Sequence, residues 1–503
     1  MTNPSRTVPP DVILVIADCA RSLNPTDGRP MVEDLVAETP TEFVRFPKAV
    51  TAATWSLPSH ASLFTGLYPW NHGCHSLAGL PPLMHCPTIA GRLKLAGYST
   101  GSFSGNSVLA PETGLLDGFD FATWGRWSEN IFRLSTSNPP HRSAGRSDGS
   151  AHRARGQSML VAGVASTLRH VPAIGFAVTD LVRRLRRGDG GKIPLVSPWI
   201  EPAFDAWVGT VPGERRLFSV VNFMDFHEPY VPESSVSRPL GKSIPFSFVP
   251  QDGRSYSHGP EQPPAAWIEQ IRDLYSASGR MVGHRIRSLW DTLHRHGRDR
   301  NTLFIVTSDH GQSLGEDGWF FHSHGQTEDE LTRVPLAIHF PDSTSQAAGE
   351  TYANDWVSLT DLSPTIAEIA GIGIRGFTDG VSLVNPQGPS SARTVLSAGD
   401  GTIGRSMENG GPGRPSHARR TASCAAYSGE REWVVSGNGP SQFEVRRYAT
   451  GPPRARLSAN AVEHAQESLA TTQATRAIVS MLTAAPQIPS ADVSRRLATW
   501  GYG

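Results

Sequence analysis

Val12-Ile13-Leu14-Val15-Ile16-Ala17 is the stretch of this chain that decides the fold. Its six residues are all apolar and mostly β-branched, which is typical of a strand buried on both faces of a parallel sheet. The run is too short to span a bilayer, and Asp11 and Asp18 flank it. Leu217–Phe223 and Leu303–Thr307 show the same pattern. The three stretches therefore predict three buried strands of one sheet.

Helical patterns separate these strands. Cys86–Leu95 and the long amphipathic stretch Trp267–His296 are both typical of helices. Strands that alternate with helices in this way predict a doubly wound α/β sheet, in which ligands bind at the carboxyl ends of the strands. Asp18, Asp225 and Asp309 each follow one of the three strands within a few residues. We therefore expect a site at that edge.

Length and composition limit the range of functions. The 503 residues are enough for one large α/β domain with a smaller one appended. The formal net charge of +0 gives no indication of a nucleic-acid partner. The four cysteines lack CxxC spacing, which argues against a zinc–thiolate site or a disulfide framework. The N-terminal residues do not resemble a signal peptide and no apolar run is long enough for a transmembrane segment, so we expect a soluble, cytoplasmic protein.

Changes in composition divide the chain. Residues 1–400 form the predicted main domain, interrupted at 135–192 by a basic, partly helical insertion. That insertion is either a helical cap with a solvated basic end, or a lid or membrane-surface helix carrying arginines toward an anionic substrate. Residues 401–503 form a predicted smaller α+β subdomain, with strands near 433–435 and 443–445. A helix is predicted over 459–482.

The segment Ser56-Leu57-Pro58-Ser59-His60 predicts a helix start. Pro58 fixes its own φ and favours an extended Leu57, so a helix could begin with Ser59 as its N-cap. Ser56 would then lie just outside a helix N-terminus, where unpaired N–H groups and the helix dipole favour anions. The alternative interpretation is a capped surface helix without a functional role.

Asp309-His310-Gly311 directly follows a predicted buried strand. A carboxylate and an imidazole at the edge of a sheet suit a divalent cation. Together with Asp18 and Ser56, they predict an open, catalytic-type site for one metal ion, which could be Mn, Mg, Ca or Zn. Ser56 is the predicted nucleophile, attacking phosphorus or sulfur to form a covalent ester that water resolves.

Two histidines are further candidates. His227 and His324 could stabilise the oxygens of the ester group or protonate the leaving group. Asp225 could complete a second metal site with them, but no DxxxH spacing supports this. The sequence therefore predicts one metal.

Six motifs follow one another along the chain: VILVIADCAR, TWSLPSHASLFTGLYP, NFMDFHEPYVP, TSDHGQSLGEDG, HGQTEDELTRVP and LTDLSPTIAEIAG. Together they resemble the sulfatase branch of the alkaline phosphatase superfamily over residues 12 to 371, whereas the resemblance is thin in the C-terminal quarter. This resemblance implies an alkaline-phosphatase-like α/β/α sandwich with a mostly parallel sheet, a metal-bound nucleophile and hydrolysis of phosphate or sulfate esters. It assigns Asp18, Ser56, Asp309 and His310 to the metal, Ser56 to nucleophilic attack, and His227 and His324 to the substrate oxyanion.

The departures from the family pattern favour a phosphoryl substrate. Sulfatases convert a Cys or Ser to formylglycine within C/S-x-P-x-R, but His60 replaces the Arg here. Cys19 replaces the second acidic residue after the first strand, and no lysine lies near the motifs. We expect a small-molecule or lipid-like phosphate or sulfate ester as substrate. The alternatives are a true sulfatase, a transferase of phosphoryl groups to an acceptor alcohol, and a non-catalytic binding protein.

Overall fold

A computed structural model describes the greater part of the chain. The described residues are 8–74, 86–106, 108–123, 131–133, 198–228, 230, 265–322, 326–342, 353–373, 378–384, 393–400, 422–429, 431–437, 443–449 and 464–483. The predicted insertion 135–192 lies outside these residues.

The central feature of the main body is an eight-stranded sheet in the order β2-β11-β8-β1-β7-β4-β5-β6. Neighbouring strands from β8 to β5 run parallel, whereas β2, β11 and β6 pair antiparallel to their neighbours. The three predicted strands are confirmed as the adjacent strands β8, β1 and β7. The strands are β1 (Asp11–Ala17), β2 (Val44–Arg45), β3 (Ala49–Val50), β4 (Ser99–Ser104), β5 (Phe121–Thr123), β6 (Ile131–Arg133), β7 (Leu217–Phe223), β8 (Thr302–Thr307), β9 (Ser313–Leu314), β10 (Phe320–Phe321), β11 (Leu336–His339), β12 (Val357–Ser358), β13 (Val395–Asp400), β14 (Ala422–Ser428), β15 (Arg431–Gly437) and β16 (Phe443–Ala449).

Helices cover both faces of this sheet, which confirms the predicted α/β/α sandwich. Strand β1 shows why its sequence is continuously apolar: Val12, Leu14 and Ile16 belong to one hydrophobic core, and Ile13 and Val15 to the other. Helices α2, α4 and α8 contribute to the first core, whereas α1, α5 and α6 contribute to the second. The helices are α1 (Met31–Val36), α2 (Ser56–Thr65), α3 (Pro69–His72), α4 (Ile89–Leu95), α5 (Ile200–Thr210), α6 (Ala265–Arg295), α7 (Asp329–Thr332), α8 (Leu362–Ile369) and α9 (His464–Thr483).

A second, antiparallel sheet contains β13, β14, β15 and β16 in that order. Helix α9 packs on this sheet, and residues of both share a small core that includes Cys424 and Ile478. The Ala398 backbone bonds to Ala52 and Thr54, immediately before α2. Strand β13 precedes residue 401 and pairs with β14, which follows it. The predicted division of the chain at residue 401 stays a prediction. Among the described residues, none of the helices has the length and apolar character needed to cross a membrane.

Candidate active site

Helix α2 begins at Ser56, three residues earlier than predicted. Trp55 is its extended N-cap residue, and Pro58 fits in the first turn because the N–H it lacks would have no partner within the helix. The expectation that Ser59 caps the helix is therefore wrong: the Ser59 hydroxyl instead donates to the backbone carbonyl of Asp309. Ser56 is fully buried in the first turn, with its side chain at the positive end of the helix dipole.

The parallel pairing of β1 with β8 brings Asp18 beside Asp309. Ile16 is in register with Thr307, so the two aspartates, each two residues further on, lie at the same level beyond the strand ends. Two amides, those of Asn106 and Asn222, donate to Oδ2 of Asp18 over 2.7 and 3.2 Å. The sheet register and these amides thus fix Asp18.

Asp309 is held by one of its two carboxylate oxygens. Its Oδ1 accepts the backbone N–H groups of Cys19 (3.1 Å) and His310 (2.8 Å). Its Oδ2 is buried and has no hydrogen-bond partner in the described part of the chain. A buried carboxylate oxygen without a donor is costly, so Oδ2 is available for a cation.

The His310 ring lies close to both Ser56 and Asp309. Its Nδ1–H donates to the Gly311 carbonyl over 2.8 Å, which leaves Nε2 as the nitrogen with a lone pair. That Nε2 lies 3.3 Å from Ser56 Oγ and 3.4 Å from Asp309 Oδ2. The four side chains that the sequence predicts as metal ligands therefore form one buried cluster, with Asp18 as the fourth.

The electrostatics of this cluster suit a divalent cation. Burial and the neighbouring Asp309 carboxylate raise the pKa of Asp18 above its ordinary value. Burial also acts to raise the pKa of Asp309, but His310 and His60 outweigh it and hold that pKa below its ordinary value. Two buried carboxylates at close range repel each other, and a cation between them removes that repulsion. The donor set of oxygens and one imidazole accordingly fits the metal that the family implies.

His60 lies in the same cluster, within ligand distance of Asp18 and Asp309. Both of its ring nitrogens are nevertheless engaged: Nδ1–H donates to the Ser56 carbonyl over 2.8 Å, and Nε2 lies 3.3 Å from the donor amide of Asn222. With a donor and an acceptor already satisfied, neutral His60 has no lone pair left for a metal. We infer that it supports the turn that carries Ser56.

A second group adjoins the first. Cys19, His227 and His322 each offer one ligand atom, and these atoms lie within 4.8 Å of one another. Burial and the Asp18 carboxylate raise the pKa of the Cys19 thiol well above its ordinary value. Burial acts to lower the pKa of His227, but Glu228 and Asp18 outweigh it and raise that pKa.

Two residues considered from the sequence, His324 and Asp225, are not among the side chains described above. His324 lies outside the described residues, so its predicted contact with the oxyanion stays a prediction. Asp225 lies 3.4 Å from Arg285 Nε on helix α6, and is not part of any of the three described groups that could hold a metal.

Several residues that complete the site are not indicated by any sequence pattern. Asn106 reaches Asp18 from the loop after β4 and Asn222 reaches it from β7, contacts that only the sheet order creates. His322 is in the same FHSHG segment as His324, and the segment itself was the available signal. Gln312, two residues after His310, accepts a hydrogen bond from His322 Nδ1 over 2.9 Å.

The chain is similar to a known protein family and to several solved structures. The family description "Sulfatase" matches residues 10–372. An arylsulfatase of Clostridium perfringens is 23% identical over 414 residues, which are 74% of this chain and 77% of that protein. A solved phosphonate monoester hydrolase of Agrobacterium radiobacter has a TM-score of 0.56 at 19% identity, covering 88% of this chain and 89% of its own. A solved 2-O GAG sulfatase also has a TM-score of 0.56, at 14% identity, covering 98% and 93%.

Proposed function

The chain belongs to the sulfatase family of ester hydrolases, and on this premise we propose that it cleaves phosphoric or sulfuric esters through a covalent intermediate on Ser56, with phosphoric esters preferred. The substrate would be a small-molecule or lipid-like ester. The observation that carries the proposal is the position of Ser56 Oγ, 3.3 Å from His310 Nε2. The same nitrogen lies 3.4 Å from Asp309 Oδ2, which has no hydrogen-bond partner among the described residues.

The chemistry follows from this placement. Ser56 Oγ forms a bond to phosphorus or sulfur while the bond to the leaving alcohol breaks, and the alcohol departs with a proton. Water then attacks the phosphorus or sulfur of the serine ester, the bond to Ser56 Oγ breaks, and the acid product leaves while the serine hydroxyl is restored. Asp18, Ser56, Asp309 and His310 would hold one divalent cation, which, when bound, lowers the pKa of the serine hydroxyl and stabilises the ester's negative oxygens. The helix dipole at Ser56 adds to that stabilisation.

His60 supports the preference for phosphoric esters. It occupies the position at which the formylglycine motif has Arg, and its ring is buried and hydrogen-bonded on both sides. An unmodified serine is then the attacking group, as in the phosphatases of the superfamily. Lys48 and Lys94 support the same preference, because one lies over the Trp356 ring and the other pairs with Asp120, so neither is available to the cluster.

The test compares p-nitrophenyl phosphate, bis-p-nitrophenyl phosphate and p-nitrophenyl sulfate as substrates. We expect the highest kcat/KM on a phosphoric ester, and a loss of about 10⁴-fold or more in Ser56→Ala. Ser62→Ala is the matched control, since it lies in the same helix but bonds His72 over 2.9 Å. Full activity in Ser56→Ala would refute the assignment of the nucleophile.

Two further measurements separate the alternatives. The intact mass of the Ser56 peptide should match unmodified serine, because oxidation to formylglycine removes two hydrogens. A modified peptide together with faster turnover of the sulfate ester would establish a true sulfatase. Product formed on an added acceptor alcohol would indicate a transferase, and a metal-free protein without turnover of any ester would indicate a binding protein.

A further inference from the structure

We propose that a cavity between helices α3 and α9 binds a neutral saccharide, away from the Ser56 cluster. The cavity has a volume of about 640 Å³ and lies where the main body meets the second sheet. This volume falls within the range of about 300–1,000 Å³ that is typical of small-molecule sites. Asn71 and Arg476 line the cavity and are exposed, so it opens at the surface. The proposal does not rest on the proposed function.

Helix α2 separates the cavity from the Ser56 cluster. Ser56 is the first residue of this helix, whereas Tyr68, which lines the cavity, comes three positions after its last residue, Thr65. A helix of this length spans about 15 Å. A monosaccharide in the cavity would therefore lie clear of the Ser56 hydroxyl, and its binding can be measured separately from catalysis.

An aromatic stack forms one wall of the cavity. The ring centroids of Tyr68 and Trp70 lie 4.7 Å apart, and the two rings are inclined by only 11°. The Tyr68 hydroxyl accepts the Leu396 N–H of β13 over 3.3 Å, and Trp70 packs against the core of the second sheet. Both rings are therefore fixed before a ligand binds, which lowers the entropic cost of binding. A pyranose presents a face of C–H groups that packs on an indole, with its hydroxyls around the edge.

Asp379 supplies a fixed acceptor beside this stack. Its Oδ2 accepts the Tyr68 N–H and the side-chain amide of Asn71, each over 2.7 Å. Its own N–H donates to the Gly66 carbonyl over 2.8 Å, so the carboxylate is held from both the backbone and the side chain. No described residue donates to the other carboxylate oxygen, Oδ1. A hydroxyl of a saccharide can donate to that oxygen.

Helix α9 forms another wall. Side chains spaced by three or four residues line the cavity from one side of this helix: Gln473, Arg476, Ala477 and Ser480. The Gln473 Oε1 atom is shielded from water and has no hydrogen-bond partner among the described residues. A buried amide oxygen without a donor is costly. A small rotation of this side chain would turn the oxygen toward a hydroxyl in the cavity and remove that cost.

The charges of the cavity favour a neutral ligand over an anionic one. Arg393 lines the cavity, but two of its nitrogens bond the Asp361 carboxylate at 2.8 and 2.9 Å. Arg476 forms no ion pair with any described residue, and the Asp379 carboxylate in the same cavity balances its charge. The cations and carboxylates therefore cancel, and the local field gives an anion no advantage. The guanidinium of Arg476 still has N–H groups to donate to hydroxyls.

Saturation-transfer-difference NMR on the full-length chain tests the proposal. The probes are the methyl glycosides of glucose, galactose and N-acetylglucosamine, with methyl glucuronide as the anionic counterpart of the first. We expect saturation transfer to the ring C–H protons of at least one neutral glycoside, with a Kd that does not change with salt concentration. The glucuronide should bind no more tightly than the glucoside. Absence of transfer to all three neutral glycosides, or tighter binding of the glucuronide, would overturn the proposal.

Variants locate the bound glycoside. Trp70→Ala should raise its Kd on the order of tenfold or more, and Gln473→Leu about threefold or more. Thr472→Ala, an exposed neighbour in helix α9 that does not line the cavity, is the control that keeps the wild-type Kd. If Trp70→Ala loses its circular dichroism spectrum, Gln473→Leu gives the reading. An unchanged Kd in the folded cavity variants, or loss of binding in Ser56→Ala, would place the glycoside elsewhere and refute the proposal.

Failure of this proposal and failure of the proposed function give different results, because the binding measurement needs no turnover. A chain that hydrolyses phosphoric esters but shows no saturation transfer to any neutral glycoside refutes only the saccharide site. A chain that binds a glycoside through Trp70 and Gln473 but turns over no ester refutes only the function.

Discussion

Gly311→Ala is expected to damage both stability and activity. Gly311 follows His310 and lies against helix α7, where an added Cβ would overlap the carbonyl oxygen of Glu330 and come within 3.3 Å of Leu331 Cα. Both obstacles are backbone, so no side chain can rotate away to make room. The loop that carries His310 must therefore move.

The cost follows from the contacts that this movement breaks. Gly311 N–H donates to the Leu331 carbonyl and Gln312 N–H to the Glu330 carbonyl, each over 2.8 Å. Overpacking costs about 1–3 kcal/mol, and each backbone hydrogen bond lost adds about 0.5–1.5 kcal/mol. We expect the free energy of unfolding to fall by about 2–6 kcal/mol, and Tm by about 2–6 °C because the entropy of unfolding of a chain of this length is about 1 kcal/mol/K.

Activity should fall as well, because His310 Nε2 lies only 3.3 Å from Ser56 Oγ. A displacement of about 1 Å in such a site costs on the order of 10²-fold in rate. A thermal unfolding scan and kcat on an ester that the wild type cleaves measure both effects. The control is Gly213→Ala, since a Cβ there meets nothing within 4 Å. Unchanged Tm and kcat in Gly311→Ala would refute the reasoning.

Three further predictions concern buried polar contacts. Burial acts to raise the pKa of Glu316, but Arg21, 2.9 Å away, outweighs it and lowers that pKa below the ordinary 4.5. Glu316 therefore stabilises the fold above about pH 4.5 and ceases to do so as the pH falls through its lowered pKa, so the Tm difference between wild type and Glu316→Gln should shrink in acid; a difference that grows there contradicts this. Arg393→Met should lower the free energy of unfolding by about 3–5 kcal/mol, because the buried Asp361 carboxylate loses both hydrogen bonds from the guanidinium (2.8 and 2.9 Å). Denaturant unfolding should show part of this loss recovered when Asp361→Asn is added, and no recovery would count against the ion pair. His60→Leu should lower kcat with little change in KM, since His60 contacts the Ser56 turn; steady-state kinetics with a change in KM alone would assign His60 to substrate binding instead.

The part of the fold near the site was predictable because it depends on local pattern. Strands β1, β7 and β8 are buried on both faces, so each is continuously apolar, and parallel strands of one sheet end at a common edge. Asp18, Asp309 and His310 follow directly from that edge. Ser56 required only that a Pro-containing turn lead into a helix, although the helix begins three residues earlier than the pattern indicated.

The rest depends on contacts between distant segments. Asn106 donates to Asp18 because β4 and β1 both flank β7, an order that no local pattern indicates. His60 appeared from sequence only as a missing Arg, whereas the structure shows that its ring links the Ser56 carbonyl to Asn222. Asn106 and Asp18 are 88 positions apart, and Asn222 and His60 are 162 positions apart, so composition and periodicity do not indicate these hydrogen bonds.

The choice between phosphorus and sulfur then depends on side chains that face the ester oxygens rather than on the architecture. A phosphonate monoester hydrolase and a 2-O GAG sulfatase share this fold at the same TM-score, so the fold is compatible with both chemistries. In this chain the side chain that contacts the nucleophile is His310, whose Nε2 lies 3.3 Å from Ser56 Oγ and whose ring centroid lies 4.9 Å from that of His322. A phosphate monoester carries close to two negative charges at neutral pH, more than a sulfate monoester, and a divalent cation held by the Ser56 cluster would match that charge. The proposed preference for phosphoric esters therefore has a physical cause in the charge of the ester group and of the cation that the Ser56 cluster would hold.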